Sequence, residues 1–332
     1  MDERASIFAG RLVIVTGKGG TGKTTVAATL AHAAALRGLR VVLAEVGRDE
    51  QAPALFEPDA APVGYAGREV APGLTAMRID PFAALAEYLG MQLSRLIADR
   101  VVGNRGFRQL MTATPGWREL ITLGKVWHLE QQRDEAGPQI DLIVVDAPAT
   151  GHGLTFLDVP HLVASAVRSG PLRRNAEQVE RLLADPDRTR LLPVALAEEL
   201  PVRETQELVE RLRAERSITI DRIVVNAVEP DPLADDLAEL PERLAAIATA
   251  EPAPSIRPAT LRACLAHRQA RHALHRQHIA DLGRRTELPL VVLPIRPGGV
   301  RGPDDLAALA APLLAEPRYV GERSANAAGT EA

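Results

Sequence analysis

Residues 17–25 have the sequence GKGGTGKTT, and they lie between the apolar run LVIVT at residues 12–16 and an alanine-rich stretch that begins near Thr24. The segment fits the phosphate-binding pattern G-x-x-x-x-G-K-[ST] in the strand–loop–helix context that the pattern requires. Glycines let the backbone turn tightly and aim its N–H groups inward, and the N-terminus of the following helix adds partial positive charge. The segment therefore predicts a cradle for nucleotide phosphates, with ATP and Mg²⁺ as the expected cofactors.

The individual positions of this loop have predicted roles. We expect Lys23 to contact the β- and γ-phosphates, Thr24 to offer its hydroxyl to Mg²⁺, and Thr25 to contact the α-phosphate. The remaining predicted nucleotide-binding positions are Gly17, Gly19, Gly20, Thr21 and Gly22. The alternative interpretation, a glycine-rich turn without a ligand, is disfavoured because every fixed position of the pattern is filled.

Lysine is rare in this chain, which contains 39 basic residues but has lysine only at positions 18, 23 and 125. Two of the three lie in the phosphate loop, which suggests that a compact ammonium group is needed there. We therefore predict catalytic roles for Lys18 and Lys23. The alternative for Lys18 is an ordinary exposed cation.

The composition is that of a soluble globular protein, with 46% apolar residues, 25% charged residues and a net charge of -4. This charge gives no basic field for nucleic acid or an anionic membrane, so we expect neither as a partner. The single cysteine, Cys264, excludes an intrachain disulfide and suits a reducing compartment. An acidic start without a signal-like segment, and the absence of an apolar run near 18 residues, predict a cytoplasmic protein without stable membrane insertion.

Short apolar runs alternate with helical patterns, which predicts an α/β fold with a mostly parallel P-loop NTPase sheet and helices on both faces. The predicted strands are residues 12–15, 40–46, 75–79, 142–145, 190–197, 222–225 and 290–293. We assign residues 1–320 to one ATPase domain and 320–332 to a flexible tail. A helical subdomain is expected to be inserted at about 80–135 and 160–215. Residues 52–74 are predicted to form a surface connection.

The helical region after residue 81 is predicted to break at Gly103, Gly106 and Pro115–Gly116. The residues Leu85, Leu89, Leu93, Leu96 and Ile97 recur at helical spacing, which predicts a core-facing stripe. An alternative is an exposed groove for an apolar helical protein client. Its candidate lining is Met91, Leu93, Leu96, Met111 and Trp117.

Asp146 ends an apolar run of the kind found in buried parallel strands, and ligands of such sheets bind at this carboxyl edge. We therefore predict that Asp146 coordinates Mg²⁺. The segment APATGHG follows at residues 147–153, and its glycines permit a backbone flip. We predict that Gly151 and His152 belong to a switch that senses the γ-phosphate.

Two later segments are candidates for the base of the nucleotide. Asn226 stands at the end of a predicted strand, where its amide could bond to a base edge. The loop PIRPGGVRG at residues 294–302 could form the wall of an adenine pocket, with Pro294 and Arg296 as contacts.

A long helix is predicted over residues 259–282, with Gly283 as its cap. Cys264 and His267 have C-x-x-H spacing, so a shared metal at a dimer axis is one interpretation. The interleaved arginines favour the other interpretation, a solvated basic face.

Together these motifs resemble the ArsA-type anion-transporting ATPases, which include arsenite-pump ATPases and the targeting ATPase for tail-anchored membrane proteins. The resemblance covers about residues 10–315 and rests on the loop with Lys18, Pro115–Gly116 with Glu119, residues 146–157, Asn226 and the loop 294–302. It implies a P-loop ATPase that works as a pair, in which Lys18 contacts the nucleotide of the partner. It also implies that residues 146–152 form the second switch and that Asn226 and the loop 294–301 hold adenine.

The sequence departs from this family at its first switch. The family carries an aspartate in a D-P-A-H run, and the matching position here is Gly47. Losing such a group reduces the rate by about 10² to 10⁴ unless another carboxylate replaces it. Asp49 and Glu45 are the candidates, and Asp49 is the predicted catalytic residue. The single cysteine also departs from the metalloid site of the pumps and from the zinc clasp of the targeting enzyme.

The sequence thus predicts a dimeric ATPase, either a homodimer or a heterodimer with a paralogue, whose nucleotide state switches a helical surface for a client. The alternative is a slow or silent nucleotide-binding subunit that pairs with an active paralogue.

Overall fold

Eight strands form one twisted sheet in the computed structural model, which describes residues 7–47, 50–135, 137–215, 218–232 and 258–319. The strands are β1 (Leu12–Gly17), β2 (Val41–Glu45), β3 (Arg68–Ala71), β4 (Leu74–Arg78), β5 (Arg133–Asp134), β6 (Gly137–Pro138), β7 (Leu142–Asp146), β8 (Thr189–Leu196), β9 (Ile223–Val228) and β10 (Leu290–Pro294). The order in the sheet is β10-β9-β8-β1-β7-β2-β4-β3, and β5 and β6 form a second, two-stranded sheet. All neighbours in the large sheet are parallel except β3 and β4. The predicted mostly parallel α/β fold is confirmed.

The central strands are apolar along their whole length because both faces of the sheet are covered. In β1, Leu12 and Ile14 pack into the cluster on one face, while Val13 and Val15 pack into the cluster on the other. This alternation follows from the two-residue period of a strand. Burial on both sides fixes the register of β1 at the centre of the molecule.

The helices lie in two layers, one on each side of the sheet. They are α1 (Lys23–Ala35), α2 (Ala52–Phe56), α3 (Pro81–Gln92), α4 (Arg95–Gly103), α5 (Arg105–Ala113), α6 (Trp117–Gln131), α7 (Thr150–Ala166), α8 (Pro171–Ala184), α9 (Glu199–Glu215), α10 (Pro258–Thr286) and α11 (Pro303–Leu314). Side chains of α1, α2 and α11 share the cluster of Val13. Side chains of α6, α7, α8 and α9 share the cluster of Leu12. None of the helices in the described part of the chain is long and apolar enough to cross a membrane.

Helices α3 to α6 are inserted between β4 and β7, and α7 and α8 lie between β7 and β8. A small separate core joins part of this layer, formed by Leu85, Val102 and Trp117. The stretch predicted as the second part of a helical subdomain contains β8, which pairs directly with β1. The division into a domain and an inserted subdomain stays a prediction.

The predicted surface connection at residues 52–74 is wrong in part, because it contains α2 and β3. Ala52 and Phe56 are buried, and the ring of Phe56 meets the imidazole of His32 edge to face at 5.8 Å. The apolar side of α2 thus covers α1. Proline and glycine in this stretch mark the turns around α2 and β3 rather than an irregular loop.

Two predicted helix boundaries are also wrong. Gly106 lies inside α5 and does not break it. The side-chain oxygen of Asn104 accepts a hydrogen bond from the Phe107 N–H and caps the helix, which therefore begins at Arg105, one residue before Gly106. Gly283 does not end α10, which continues to Thr286. Glu287 takes the left-handed conformation after that helix, with φ of 52°, and its N–H donates to the Gly283 carbonyl.

The predicted core-facing stripe holds for Leu85 but fails further along. Leu93, Leu96 and Ile97 are 47%, 84% and 52% exposed. The reason is that α3 ends at Gln92 and α4 begins at Arg95, so the helical spacing does not continue across the junction. The alternative prediction was an exposed groove lined by Met91, Leu93, Leu96, Met111 and Trp117. It is wrong for Trp117, which is buried.

Candidate functional site

The glycine-rich loop begins where β1 ends, at the carboxyl edge of the sheet between β7 and β8. Gly17 has φ of 149°, and a Cβ atom built on it would lie 2.2 Å from the carbonyl oxygen of Val194. No side chain fits so close to a backbone atom. Glycine at this position therefore lets the loop turn against the neighbouring strand.

A second close approach lies at the end of the loop, where Gly22 caps the start of α1 with φ of 84°. A Cβ atom on Gly22 would lie 2.2 Å from Nδ2 of Asn226. That amide group donates a hydrogen bond to the carbonyl oxygen of Thr21 at 2.9 Å. Asn226 thus supports the loop, and its contact with adenine stays a prediction.

The start of α1 suits an anion. Its first turn contains no acidic side chain, and its N-cap residue, Gly22, has no side chain to accept from the free N–H groups. Exposed N–H groups and the helix dipole together favour a bound phosphate. Lys23 adds a positive charge, and its ammonium group donates to the Lys18 carbonyl oxygen at 3.0 Å across the loop. Burial lowers the pKa of Lys23, while the charge of Asp146 opposes this change.

Thr24 and Asp146 meet beside the loop, as predicted for a pair that would hold Mg²⁺. The Thr24 hydroxyl donates to Oδ2 of Asp146 at 2.6 Å. Burial raises the pKa of Asp146, and the Thr24 hydrogen bond and the Lys23 charge partly offset this. Its other oxygen, Oδ1, is buried and has no hydrogen-bond partner among the described residues. A hydroxyl and a carboxylate with a free lone pair fit the oxygen ligands that Mg²⁺ prefers.

Glu45 is a second buried carboxylate at the same edge. It ends β2 in register with Asp146 of β7, and it is 3% exposed. Its Oε1 accepts the N–H groups of Gln51 at 2.8 Å and Ala52 at 2.9 Å. Burial raises the pKa of Glu45, although these two hydrogen bonds lower it.

These groups surround one cleft of about 440 Å³. The lining residues are Gly19, Gly20, Gly22, Lys23, Thr24, Thr25, Glu45, Val46, Gly47, Gln51, Asp146, Ala147, Pro148 and Ala149. The tertiary structure thus brings the predicted phosphate loop and the predicted magnesium ligands to a single place. The cleft is lined by the Lys23 ammonium group, by the backbone of the glycine-rich loop and by two carboxylates.

Other predicted residues lie elsewhere. Lys18 forms an ion pair with Glu204 of the same chain at 2.8 Å. Pro294 is exposed, and Arg296 pairs with Asp305 at 2.5 Å, and neither belongs to the cleft lining among the described residues. Their contact with adenine stays a prediction.

For three of the predicted residues, the structure describes no side chain, so their position relative to the cleft is not assigned. Gly151 and His152 lie in the first turn of α7, which follows the lining residue Ala149, and only their backbone is described. Asp49 lies outside the described residues. On α10, Cys264 is exposed, and the described residues contain no cluster suited to a metal ion.

Sequence reasoning missed Glu204 as a partner of Lys18. The two residues are 186 positions apart, and nothing in the pattern of α9 distinguishes this glutamate from its neighbours. It also missed that the N–H groups before and at the start of α2 bind Glu45. A charged residue at the end of the otherwise apolar run VVLA was the available signal.

Comparison with known proteins gives consistent matches. The profile of a family described as anion-transporting ATPase matches residues 10–170 and 170–247, which include the whole cleft. The ATPase BagA of Mycobacterium tuberculosis and a putative ATPase, Mb3704, of Mycobacterium bovis are each 38% identical over 240 residues, covering 70% of this chain and 69% of the relative. The ATPase GET3 of Lachancea thermotolerans is 27% identical over 263 residues, covering 68% of this chain and 74% of that protein.

Proposed function

The chain belongs to the anion-transporting ATPase family, as its sequence motifs predicted, and from this premise we propose that it hydrolyses ATP with Mg²⁺ as a dimer. ATP binding by a P-loop ATPase is the activity that the family shares. The proposal adds the dimer, and a partner-binding surface that changes with the bound nucleotide. A cytoplasmic location is part of it, since a single cysteine suits a reducing compartment.

The observation that carries the proposal is the meeting of three side chains in one cleft. Lys23, Thr24 and Asp146 line it together with the backbone of the glycine-rich loop. Lys23 and the loop N–H groups supply positive charge for the phosphates. Thr24 and Asp146 would hold Mg²⁺, and the ion when bound would neutralise charge on the phosphate oxygens.

Phosphoryl transfer needs little covalent help from a protein, because most of the rate comes from positioning and charge stabilisation. Lys23 would stabilise the charge that develops on the γ-phosphate oxygens. The burial of this lysine strengthens the interaction, since a partly dry cleft screens charge less than water does. These residues therefore suit hydrolysis of a nucleoside triphosphate.

The dimer is proposed from Lys18. Its side chain is about a third exposed, and its ammonium group donates to Glu204 of its own chain. A partly exposed ion pair is weak, contributing about 0–1 kcal/mol, so a triphosphate facing Lys18 from a second subunit could displace Glu204. In this arrangement each subunit would complete the site of the other.

The partner-binding surface is proposed on the layer of α3, α4 and α5. Met91, Leu96 and Leu110 are 53%, 84% and 64% exposed there. Exposed apolar side chains on one layer suit an apolar helix of another protein. Helix α7 begins at the cleft, and the α7–α8 pair packs on α6. Because α6 in turn packs against α3 and α4, a movement of α7 would be transmitted to this surface.

Steady-state phosphate release tests the proposal. The wild-type protein should release phosphate from ATP only with Mg²⁺, and Lys23→Ala should abolish this release. The assay is repeated with an apolar helical peptide to test the partner surface. If the wild-type rate equals that of Lys23→Ala with and without the peptide, hydrolysis in this cleft is excluded.

Gly47 favours a second candidate, a slow or silent nucleotide-binding subunit that pairs with an active paralogue. This cleft position is where the family places its catalytic aspartate, and glycine has no side chain to orient water. The silent subunit should retain bound ATP for hours with Mg²⁺. Chromatography of the extracted nucleotide, as ATP or ADP, separates the two candidates.

A further inference from the structure

We propose that Glu45 holds the water molecule that attacks the γ-phosphate, a role that rests on the proposed ATP hydrolysis in this cleft. The residue replaces the missing first-switch aspartate from a different backbone position. Glu45 is the last residue of β2, two positions before Gly47, which lies in the loop that follows.

The placement of Glu45 comes from the sheet. Strands β2 and β7 are parallel neighbours, and Glu45 stands directly opposite Asp146 in their register. The N–H of Val46 donates to the Asp146 carbonyl oxygen at 3.1 Å and continues the pairing past the end of β2. Glu45 therefore lines the same cleft as Lys23 and Thr24, beside the proposed magnesium ligands.

The two oxygens of Glu45 have different surroundings. Oε1 accepts two backbone N–H groups from the start of α2 and is fully engaged. Oε2 is buried and receives no hydrogen bond from any residue that the structure describes. A buried polar atom without a partner costs about 1–3 kcal/mol, so such an atom calls for an explanation.

A purely structural role explains the surroundings of Oε1 but not those of Oε2. Holding the start of α2 needs one acceptor oxygen, which the neutral amide of glutamine also offers. The rest of β2 is apolar, and Val41, Leu43 and Ala44 are buried in the two core clusters. A second, unpartnered carboxylate oxygen in this setting is suited to a small polar molecule within the cleft, and water is the one that hydrolysis requires.

The proposed step balances without a change in the charge of Glu45. Oε2 accepts a hydrogen bond from one O–H of the water and orients its oxygen towards the γ-phosphorus. The water oxygen forms the new bond to phosphorus, and the bond to the bridging β,γ-oxygen breaks, with the electron pair leaving on ADP. The second proton of the water passes to an oxygen of the γ-phosphate, which departs as inorganic phosphate.

Glu45→Gln tests this role because the amide oxygen can still hold α2, while the second position becomes an N–H donor. We expect the rate of phosphate release to fall by about 10² to 10³, the loss typical for one group that acts on the reacting atoms. The dissociation constant of ATPγS with Mg²⁺ should stay within about threefold, as for a residue that does not bind the nucleotide itself. Glu57→Gln is the matched control, because this exposed carboxylate follows the far end of α2 and is not among the residues that line the cleft, and it should keep the wild-type rate.

Two further measurements separate water positioning from other roles. Binding of Mn²⁺ to the ADP complex, followed by electron paramagnetic resonance, should be unchanged in Glu45→Gln and weakened in Asp146→Asn. Thermal unfolding shows whether α2 is still held. If Glu45→Gln does not fold, Glu45→Asp replaces it; the shorter side chain should keep nucleotide affinity and lower the rate at least tenfold, as misplacement by about 1 Å does.

The possible failures are distinguishable. A wild-type rate in Glu45→Gln overturns the role of Glu45 and leaves the proposed ATPase standing. Weakened Mn²⁺ binding in Glu45→Gln also overturns it, because the residue would then be a metal ligand. A wild-type protein that releases no more phosphate than Lys23→Ala overturns the proposed function, and this role falls with it.

Discussion

Lys18 and Glu204 form an ion pair within one chain, with 2.8 Å between the ammonium nitrogen and the carboxylate oxygen. The contact joins the phosphate loop to α9, two elements separated by 186 residues in sequence. Both side chains are about one third exposed. In the single chain, the lysine that is expected to reach across a dimer therefore binds a carboxylate of its own subunit.

Glu204→Ala should promote dimer formation with Mg²⁺ and ATPγS, because it removes the competitor for Lys18. A pair this exposed contributes at most about 1 kcal/mol, and a dimer of two such chains displaces two pairs, so the dimer dissociation constant should fall by no more than about 30-fold. Sedimentation velocity at a series of protein concentrations measures it. Glu207→Ala is the control, since Glu207 lies on the same helix and pairs only with exposed Arg203 among the described residues. A weaker dimer in Glu204→Ala would contradict the idea of competition.

The two loop lysines should separate binding from turnover. Lys23→Ala removes charged hydrogen bonds to phosphate worth about 1.5–3 kcal/mol, so the dissociation constant of ATP should rise about 10- to 100-fold. Lys18→Ala should keep ATP affinity within about threefold but abolish turnover, since the lysine would act on the partner's nucleotide. Fluorescent-nucleotide titration and phosphate release measure the two effects. Lys125→Arg, in α6, serves as the control and should change neither; an active monomer of Lys18→Ala would refute the cross-subunit role.

Gly22→Ala should damage the loop in two ways. Its φ of 84° is unfavourable for alanine by about 1–2 kcal/mol, and the new methyl group would collide with the Asn226 amide. Nucleotide affinity should therefore fall at least tenfold, that is by about 1.4 kcal/mol or more. The double variant Gly22→Ala/Asn226→Ala should recover part of the affinity, because it removes the collision but not the backbone strain.

Gly90→Ala is the matched control for this substitution. Gly90 lies in α3, and apart from its chain neighbours and the backbone of its own helix, no described atom lies within 4 Å of a Cβ built on it. Alanine should raise the free energy of unfolding by up to about 1 kcal/mol, because it is the better helix former. Denaturant unfolding measures the free energy of unfolding of both variants. A Gly22→Ala protein that keeps the wild-type stability and nucleotide affinity would contradict the described geometry of the loop.

Glu87 should make stability depend on pH. Burial alone would raise its pKa, but hydrogen bonds from Lys125 and Tyr65 outweigh burial and lower the pKa below its ordinary value of 4.5. The stabilisation by this carboxylate is therefore complete above that ordinary value and is lost as the pH falls through the lowered pKa. Glu87→Gln should cost about 1 kcal/mol at neutral pH, since the group is partly exposed.

The difference between wild type and Glu87→Gln should shrink as the solution becomes acidic. Urea unfolding at several pH values measures it. Glu210→Gln is the control, because Glu210 is exposed on α9 and its substitution should change the free energy of unfolding by no more than about 0.5 kcal/mol. A constant difference for Glu87→Gln would show that the carboxylate charge contributes nothing.

The sequence predicted a structural feature correctly where the physical cause of that feature lies within one short segment. The glycine-rich loop, the apolar runs of β1 and β7, and the position of Asp146 at the end of β7 depend on neighbours in the chain, and the structure has them where the sequence pattern predicted them. The junction of α3 and α4 was missed because helical spacing does not show where one helix ends and the next begins. Leu96 is exposed for that reason.

What the sequence alone determined is a P-loop ATPase fold with a cleft at the carboxyl edge of a parallel sheet, because hydrophobic periodicity and loop glycines act locally. Only the tertiary structure decided which distant groups meet there. The sheet order puts Glu45 next to Asp146, α9 brings Glu204 to Lys18, and β9 places the Asn226 amide on the loop. Such contacts depend on how whole strands and helices pack, and packing between segments far apart in the chain leaves no pattern within either segment.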